Sequence, residues 1–274
     1  MAATLVASGR ADPSPREPLD GGLLIIHARE RQSPSGRFVG LNTPVPWSVV
    51  LPVKSIDQGK SRLLAQESTR RLLIAAFLAD VLAALDSAHQ VGEVIVVGND
   101  PVLLDLAVTA GARAITEGES RGLNQAAAIG ISAASQAAPV AVMVADLPCL
   151  TGSAIDHVLH QASALPNSFV CDAAGTGTTM LMAQDPRTCR PQFGHRSRAR
   201  HAASGNVELA APSGGAAPSG ELVSPDGIQV RAQEAFCRAR RDVDTQVDLW
   251  DAVRIGVGSA TRAVLPSIGG LTST

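Results

Sequence analysis

Trp47-Ser48-Val49-Val50-Leu51-Pro52-Val53, followed by Lys54-Ser55-Ile56-Asp57-Gln58-Gly59-Lys60-Ser61-Arg62, is the stretch on which the fold turns. Ser48–Val53 is short, apolar and β-branched, as a strand buried on both faces is. Lys54 to Arg62 makes a charged loop, and residues 66–86, rich in Leu and Ala, read as a long helix. The alternation continues downstream. Val94-Ile95-Val96-Val97 is a second buried strand, ended by Gly98-Asn99-Asp100, with helices expected near 101–110 and 123–137. Val140-Ala141-Val142-Met143-Val144 is a third, with Asp146 just past its end and a helix over about 152–164. Strand and helix in alternation, with strands apolar throughout, predict an α/β fold: a mainly parallel sheet with helices on both faces. Phe169-Val170-Cys171 and Thr179-Met180-Leu181-Met182, separated by a Gly-Thr turn, read as strands of a mixed sheet.

Outside this pattern the composition changes. Residues 1–46 carry Pro13, Pro15, Pro18, Pro34, Pro44 and Pro46 among Gly, Ser and charge, and are expected to be a disordered extension. Residues 210–228, rich in Ala, Pro, Ser and Gly, read as a flexible insertion in a domain spanning 47–262. Residues 230–244 read as strand and loop, 246–255 as a helix, and the chain after Gly258, including the tail 263–274, as loosely held.

With 274 residues, 45% of them hydrophobic, the chain can bury one large core. A formal net charge of -2 gives no reason to expect a polyanion partner. No Tyr, two Trp and five Phe leave few platforms for stacking single-stranded nucleic acid. Cys149, Cys171, Cys189 and Cys237 form no CxxC pair and match no zinc spacing, so they read as reduced thiols. There is no charged head followed by an apolar run at the N-terminus, and no window of roughly 18 apolar residues, so neither a secretory signal nor a membrane span is expected. A cytoplasmic protein fits these features.

Ligands of an open α/β sheet gather outside the carboxyl ends of its strands, and the chemistry-bearing segments fall near such ends. The loop with Lys54, Lys60 and Arg62 supplies the cations a triphosphate needs, or is a solvated basic loop. It is not a P-loop, because Lys54 stands where that motif has glycine. Asp146, at the end of a buried strand, is either a ligand-facing carboxylate or a helix cap or turn residue. Asp242 and Asp244, alternate residues of a predicted strand, would lie about 6.5–7 Å apart on one face. Two such carboxylates repel unless a cation joins them, and with Asp146 they would make an oxygen site suited to Mg²⁺. Asp244 could instead cap the following helix. Asp172–Thr179 is a Gly-Thr turn open to a ligand or simply a hairpin. Phe193–His201, with three arginines and two histidines, could grip an anionic substrate or be a solvated basic turn. His157 and His160, three apart on a helix, read as surface or structural residues.

Taken in order, Lys54-x5-Lys60-Ser61-Arg62-Leu63, Gly122-Leu123-Asn124-Gln125-Ala126, Asp146-Leu147-Pro148, Gly175-Thr176-Gly177-Thr178, Phe193-Gly194 with Ser197, and Asp242-Val243-Asp244-Thr245 resemble one family. It is the phospholactate/phosphoenolpyruvate guanylyltransferases of deazaflavin coenzyme F-420 biosynthesis, and the resemblance covers roughly residues 48–262. It implies a Rossmann-like fold of the nucleotide-diphospho-sugar-transferase type, with GTP as nucleotide donor. It assigns Asp146, Asp242 and Asp244 to Mg²⁺, and Lys54, Lys60 and Arg62 to the triphosphate. It places Asn124 near the nucleoside, and Thr178, Gly194 and Ser197 at the phosphorylated acid. The Ala-rich composition looks like the actinobacterial branch, which favours phosphoenolpyruvate over 2-phospho-L-lactate. Small molecules are the expected partners, with room for a homodimer and for handover to the next enzyme of the pathway. The chain departs from the family at His195-Arg196, and has no recognised counterpart for residues 1–46 or the insertion.

Three other readings compete. Asp242-Val243-Asp244-Thr245 fits the DxDxT pattern of haloacid-dehalogenase-type phosphatases, but there the motif opens the domain, and here only 30 residues follow Asp244. A nucleotidyltransferase with another phosphorylated acceptor is the second. A non-catalytic nucleotide sensor is the third, and it would tolerate losing acids that this chain keeps.

Overall fold

β1 (Trp47–Pro52) is buried along its whole length and sits in the middle of the sheet. Successive strand residues point to opposite faces, so Val49 and Leu51 enter one core and Val50 the other. The structure, a computed structural model, describes residues 45–54, 63, 66–119, 122–210, 222–223, 229–230 and 232–268. The expectations for residues 1–44, for Lys60 and Arg62, for most of the insertion and for residues 269–274 lie outside them.

From β1 the chain runs through α1 (Glu67–Ser87), β2 (Val91–Gly98), α2 (Pro101–Thr109), β3 (Arg113–Thr116), α3 (Leu123–Ala133), β4 (Val140–Met143) and α4 (Gly152–Ala162). It continues through β5 (Asn167–Cys171), β6 (Thr178–Ala183), α5 (Ser197–Ala203), β7 (Val207–Glu208), β8 (Leu222–Val223), β9 (Gln229–Val230), α6 (Ala232–Arg240), α7 (Gln246–Ile255) and α8 (Ser259–Val264). β8 and β9 form a small antiparallel pair of their own. The other strands make one sheet in the order β3-β2-β1-β4-β6-β5-β7. β6 is antiparallel to β4 and β5, and every other pairing is parallel. This is the mixed, mainly parallel sheet expected.

Helices cover both faces. α1, α2, α4 and α6 pack on the side of Val49, Leu51 and Met143. α3 packs on the side of Val50, Val97 and Val142, through Ala126, Ala127 and Ile131. Its approach is close because of Gly130, where a Cβ would stand 2.2 Å from Val50 Cγ1. α7 and α8 build a third core on Leu73 and Phe77 of α1.

Several local expectations need correction. Residues 232–240 are a helix, not strand and loop: Ala235, Phe236 and Ala239 recur at helical spacing and are buried. The chain after Gly258 is not loose, since α8 follows and Thr261 and Ile268 are buried. Asp80 of α1 explains why: its carboxylate accepts from the Ala260 and Thr261 N–H groups, both at 2.9 Å. β3 has no counterpart in the sequence reading; it is an edge strand paired only to β2. Among the described residues no helix is long and apolar enough to cross a membrane.

Candidate active site

The switch in strand order lies at β1: the chain first moves outward to β2 and β3, then α3 returns it to β4 on the other side. A crevice opens at such a point beyond the carboxyl ends of the two strands. Lys54 follows β1 there and is exposed. Asp146 follows β4, half-buried. It caps no helix, for α4 is capped by Thr151, whose side chain accepts from the Ala154 N–H at 3.2 Å.

The turn after β4 is pinned by the C-terminal part of the chain. Val243 N–H donates to the Asp146 carbonyl at 3.1 Å, and Gly258 N–H to the Pro148 carbonyl at 2.9 Å. Arg238 of α6 donates to the Cys149 carbonyl at 3.0 Å. Asp242 and Asp244 therefore lie on either side of the residue that bonds to Asp146. They are not on a sheet strand, as the sequence suggested, but in the extended link between α6 and α7. Nor does Asp244 cap α7. That duty falls to Thr245, in a capping box with Asp248: the Thr245 side chain accepts from the Asp248 N–H, and the Asp248 carboxylate accepts from the Thr245 N–H at 2.8 Å. Arg241, just before Asp242, is held 3.8 Å from Asp248 and 3.6 Å from Asp251 on α7.

β6 brings in a second group. Being antiparallel, it begins where β4 ends, and Val144 N–H donates to the Thr179 carbonyl at 3.0 Å. The Thr179 hydroxyl donates to the Ala239 carbonyl at 2.8 Å, fixing the end of α6 three residues before Asp242. Thr178 thus stands at the same sheet edge as the three acids. The turn before it is closed by Asp172, whose carboxylate accepts from the Thr176 and Gly177 N–H groups at 2.8 and 2.7 Å. Arg240 donates to the Asp172 carbonyl from Nε at 3.2 Å and from its Nη2 at 3.0 Å. Arg198 donates to the Gly175 carbonyl at 3.0 Å.

Thr178 is joined to Ser197 through α5. Its Oγ1 lies 2.9 Å from Nδ1 of His201, and Ser197 is one helical turn from His201 on the same buried face. The Ser197 hydroxyl is buried with no hydrogen-bond partner among the described residues. Gly194 has φ +110, and Arg196, at the start of α5, has φ 55, a left-handed conformation that costs a side chain about 1–2 kcal/mol. Asn124, at the start of α3, holds this loop from the other side. Its Nδ2 donates to the Phe193 carbonyl at 3.1 Å, and its Oδ1 accepts from the Phe193 N–H at 2.7 Å. The amide placed near the nucleoside by resemblance is thus engaged with the backbone beside Gly194.

The structure therefore gathers Lys54, Asn124, Asp146, Thr178, Gly194, Ser197, Asp242 and Asp244 along one edge of the sheet. Thr179, Arg198 and His201 were legible only as members of the Asp172–Thr179 and Phe193–His201 segments, without their individual contacts, and Arg240 and Arg241 fell in a stretch expected to be strand and loop. Among the described residues no three His, Cys, Asp or Glu side chains converge tightly enough to hold a cation unaided. The acids do not form a closed cage. Their chemistry fits Mg²⁺, which takes one or two carboxylates and completes its shell with water and substrate phosphate.

The family described as "Guanylyl transferase CofC like" matches residues 47–207. The phosphoenolpyruvate guanylyltransferase of Streptomyces scabiei (strain 87.22) is 38% identical over 226 residues, covering 79% of this chain and 94% of that protein. That of Streptomyces coelicolor (strain ATCC BAA-471 / A3(2) / M145) is 37% identical over 223 residues, covering 80% of this chain and 95% of that protein. A solved nucleotidyl transferase from Methanothermobacter thermautotroptrophicus is 14% identical, with a TM-score of 0.49, covering 81% of this chain and 99% of that one. The family match over most of the folded chain, together with relatives this similar along nearly their whole length, places the chain in the CofC-like guanylyl transferase family.

Proposed function

We propose that this chain transfers GMP from GTP to phosphoenolpyruvate, releasing pyrophosphate, and so serves coenzyme F-420 biosynthesis in the cytoplasm. The observation that carries this reading is the gathering of Asp146, Asp242 and Asp244 with Thr178, Gly194 and Ser197 at one sheet edge, in a chain 38% identical to a protein of that activity. A phosphate oxygen of the acceptor attacks the α-phosphorus of GTP. The new P–O bond forms as the bond to the bridging oxygen breaks, and that oxygen leaves on pyrophosphate. The attacking oxygen is already anionic at neutral pH, so no general base is required.

The protein's task is alignment and neutralisation of charge. Asp146, Asp242 and Asp244 are the residues that would hold Mg²⁺, which when bound supplies positive charge to the phosphates. Lys54, Lys60 and Arg62 hold the triphosphate and favour departure of pyrophosphate. Thr178, Ser197 and the backbone at Gly194 hold the acceptor, and Asn124 sets the position of Gly194. The test is pyrophosphate release by the purified protein with GTP and Mg²⁺, comparing phosphoenolpyruvate, 2-phospho-L-lactate and no acceptor. Release that needs phosphoenolpyruvate and is abolished by EDTA is expected. Release with 2-phospho-L-lactate alone would overturn the acceptor, and release with neither would overturn the activity.

A further inference from the structure

His201 is fully buried, between the rings of Phe169 and Phe193 at centroid distances of 5.9 and 5.4 Å. Both its nitrogens are engaged. The backbone N–H of Gln192 donates to Nε2 at 3.0 Å, and Nδ1 lies 2.9 Å from the Thr178 hydroxyl. A backbone N–H can only donate, so Nε2 must be the bare nitrogen of the ring. The single ring proton then sits on Nδ1 and is donated to Thr178 Oγ1. Burial, with a smaller contribution from Arg200, pushes the His201 pKa down to about 4, so the neutral ring persists at neutral pH. Thr178 therefore accepts from His201 and cannot donate to it. Within the described residues its hydroxyl hydrogen has no other acceptor, although the residue is buried.

We propose that His201 is a positioning residue for the acceptor: by donating to Thr178 Oγ1 from Nδ1, it turns the Thr178 hydroxyl into a hydrogen-bond donor for an anionic oxygen of the bound phosphoenolpyruvate. This rests on the reading of Thr178 as an acceptor-binding residue. The buried Ser197 hydroxyl, one turn away on the same helix and also without a partner among the described residues, offers a second donor beside it. His201 touches no substrate. It fixes which way one hydroxyl points, and the Gln192 N–H fixes which way His201 is protonated.

The experiment is steady-state pyrophosphate release with the full chain, measuring KM for phosphoenolpyruvate and for GTP separately. Wild type, Thr178→Val, His201→Leu, His201→Asn and the Thr178→Val/His201→Leu double variant are compared, each checked for cooperative unfolding. Losing one hydrogen bond to a charged ligand is expected to raise the phosphoenolpyruvate KM about tenfold or more in Thr178→Val. His201→Leu should do the same with GTP KM within about twofold of wild type, and His201→Asn, which keeps a donor near the Nδ1 position, should recover most of the loss. The double variant should be no worse than Thr178→Val alone, because both act through one hydroxyl. A phosphoenolpyruvate KM unchanged in His201→Leu, or losses that multiply in the double variant, would overturn the inference. Should His201→Leu fail to fold, the ¹⁵N resonances of the wild-type imidazole decide the point: a proton on Nε2 overturns it. If Thr178→Val itself leaves the KM unchanged, or wild type shows no phosphoenolpyruvate-dependent release, it is the underlying reading of the site that fails, and this inference falls with it.

Discussion

Val243 is completely buried and its N–H is bonded to Asp146, so Asp242 and Asp244 are carried on a rigid piece of backbone rather than a free loop. Preorganised charge of this kind is what a transfer between two polyanions needs, and removing one such group costs about 100-fold or more in turnover. Asp242→Ala and Asp244→Ala are each expected to lose at least that much in kcat with an unfolding temperature near that of wild type. Near-normal turnover in either would remove it from the metal set. Asn124 yields a different signature. Its two bonds to Phe193 shape the loop at Gly194, so Asn124→Ala should raise the acceptor KM about tenfold while the GTP KM holds. A change confined to GTP would instead support the nucleoside role implied by the family resemblance. His201 adds a pH signature to the fold itself. Its pKa of about 4 lies below the unfolded value near 6.5, so the unfolded chain takes up the proton first as pH falls. The contribution of His201 to stability should be constant above about pH 6.5, fall by up to about 3 kcal/mol between there and about pH 4, and level off below; His201→Asn should remove that part of the slope in urea titrations.

Among the elements, α8 shows how little of a helix need be local. It is six residues long, and it is anchored by Asp80, which accepts two of its N–H groups. Gly258 lets the two meet: a Cβ there would stand 2.3 Å from the Asp80 carboxylate. Gly258→Ala should destabilise the fold by about 1–3 kcal/mol, as overpacking of a closed contact does, and Asp80→Ala by a similar amount through two lost charge-assisted bonds. Urea denaturation that finds either variant as stable as wild type would contradict this contact. The anchor also explains why α8 was hidden in the sequence. Asp80 and Ala260 are 180 positions apart, and the N-cap, Gly258, has no side chain to close the helix start itself. β3 was hidden for a related reason: Arg113-Ala114-Ile115-Thr116 is half-exposed at an edge and has no apolar run to betray it. The central strands were legible because burial on both faces demands continuous apolar residues. In the site, acids and glycines beyond strand ends could be read from their place in the pattern, whereas His201 could not. Its burial and its two partners are products of the fold, and in sequence it is one more basic residue in a basic run.

At the scale of the molecule, the chain closes on itself through its site. The first half builds β1 and β4 and the crevice beyond their ends; the last described stretch, α6 to Ile268, returns to the turn after β4 and packs on α1. Val243, Leu249, Ala252, Val257 and Ile268 form one core with Leu73 and Phe77, so the segment that carries Asp242 and Asp244 is held by the helix that follows β1. The family match ends at residue 207, before either acid, yet the link that carries both is bonded to the Asp146 carbonyl, through Val243, only because this return is made. Truncation after Ile255 tests the dependence directly. It removes Val257 and Ile268 from the core, each worth about 1.5–3 kcal/mol, and leaves the Asp80 carboxylate buried without its two donors. The shortened chain should lose about 4 kcal/mol or more of stability. Turnover should drop well before the fold does on mild heating, because α7 and the link bearing Asp242 and Asp244 lose their support while β1 and β4 do not. Circular dichroism and pyrophosphate release followed together through one temperature ramp would show two separated transitions. A single shared transition would mean that the return segment and the sheet unfold as one unit, and that the acids are held by the whole core rather than by its last layer.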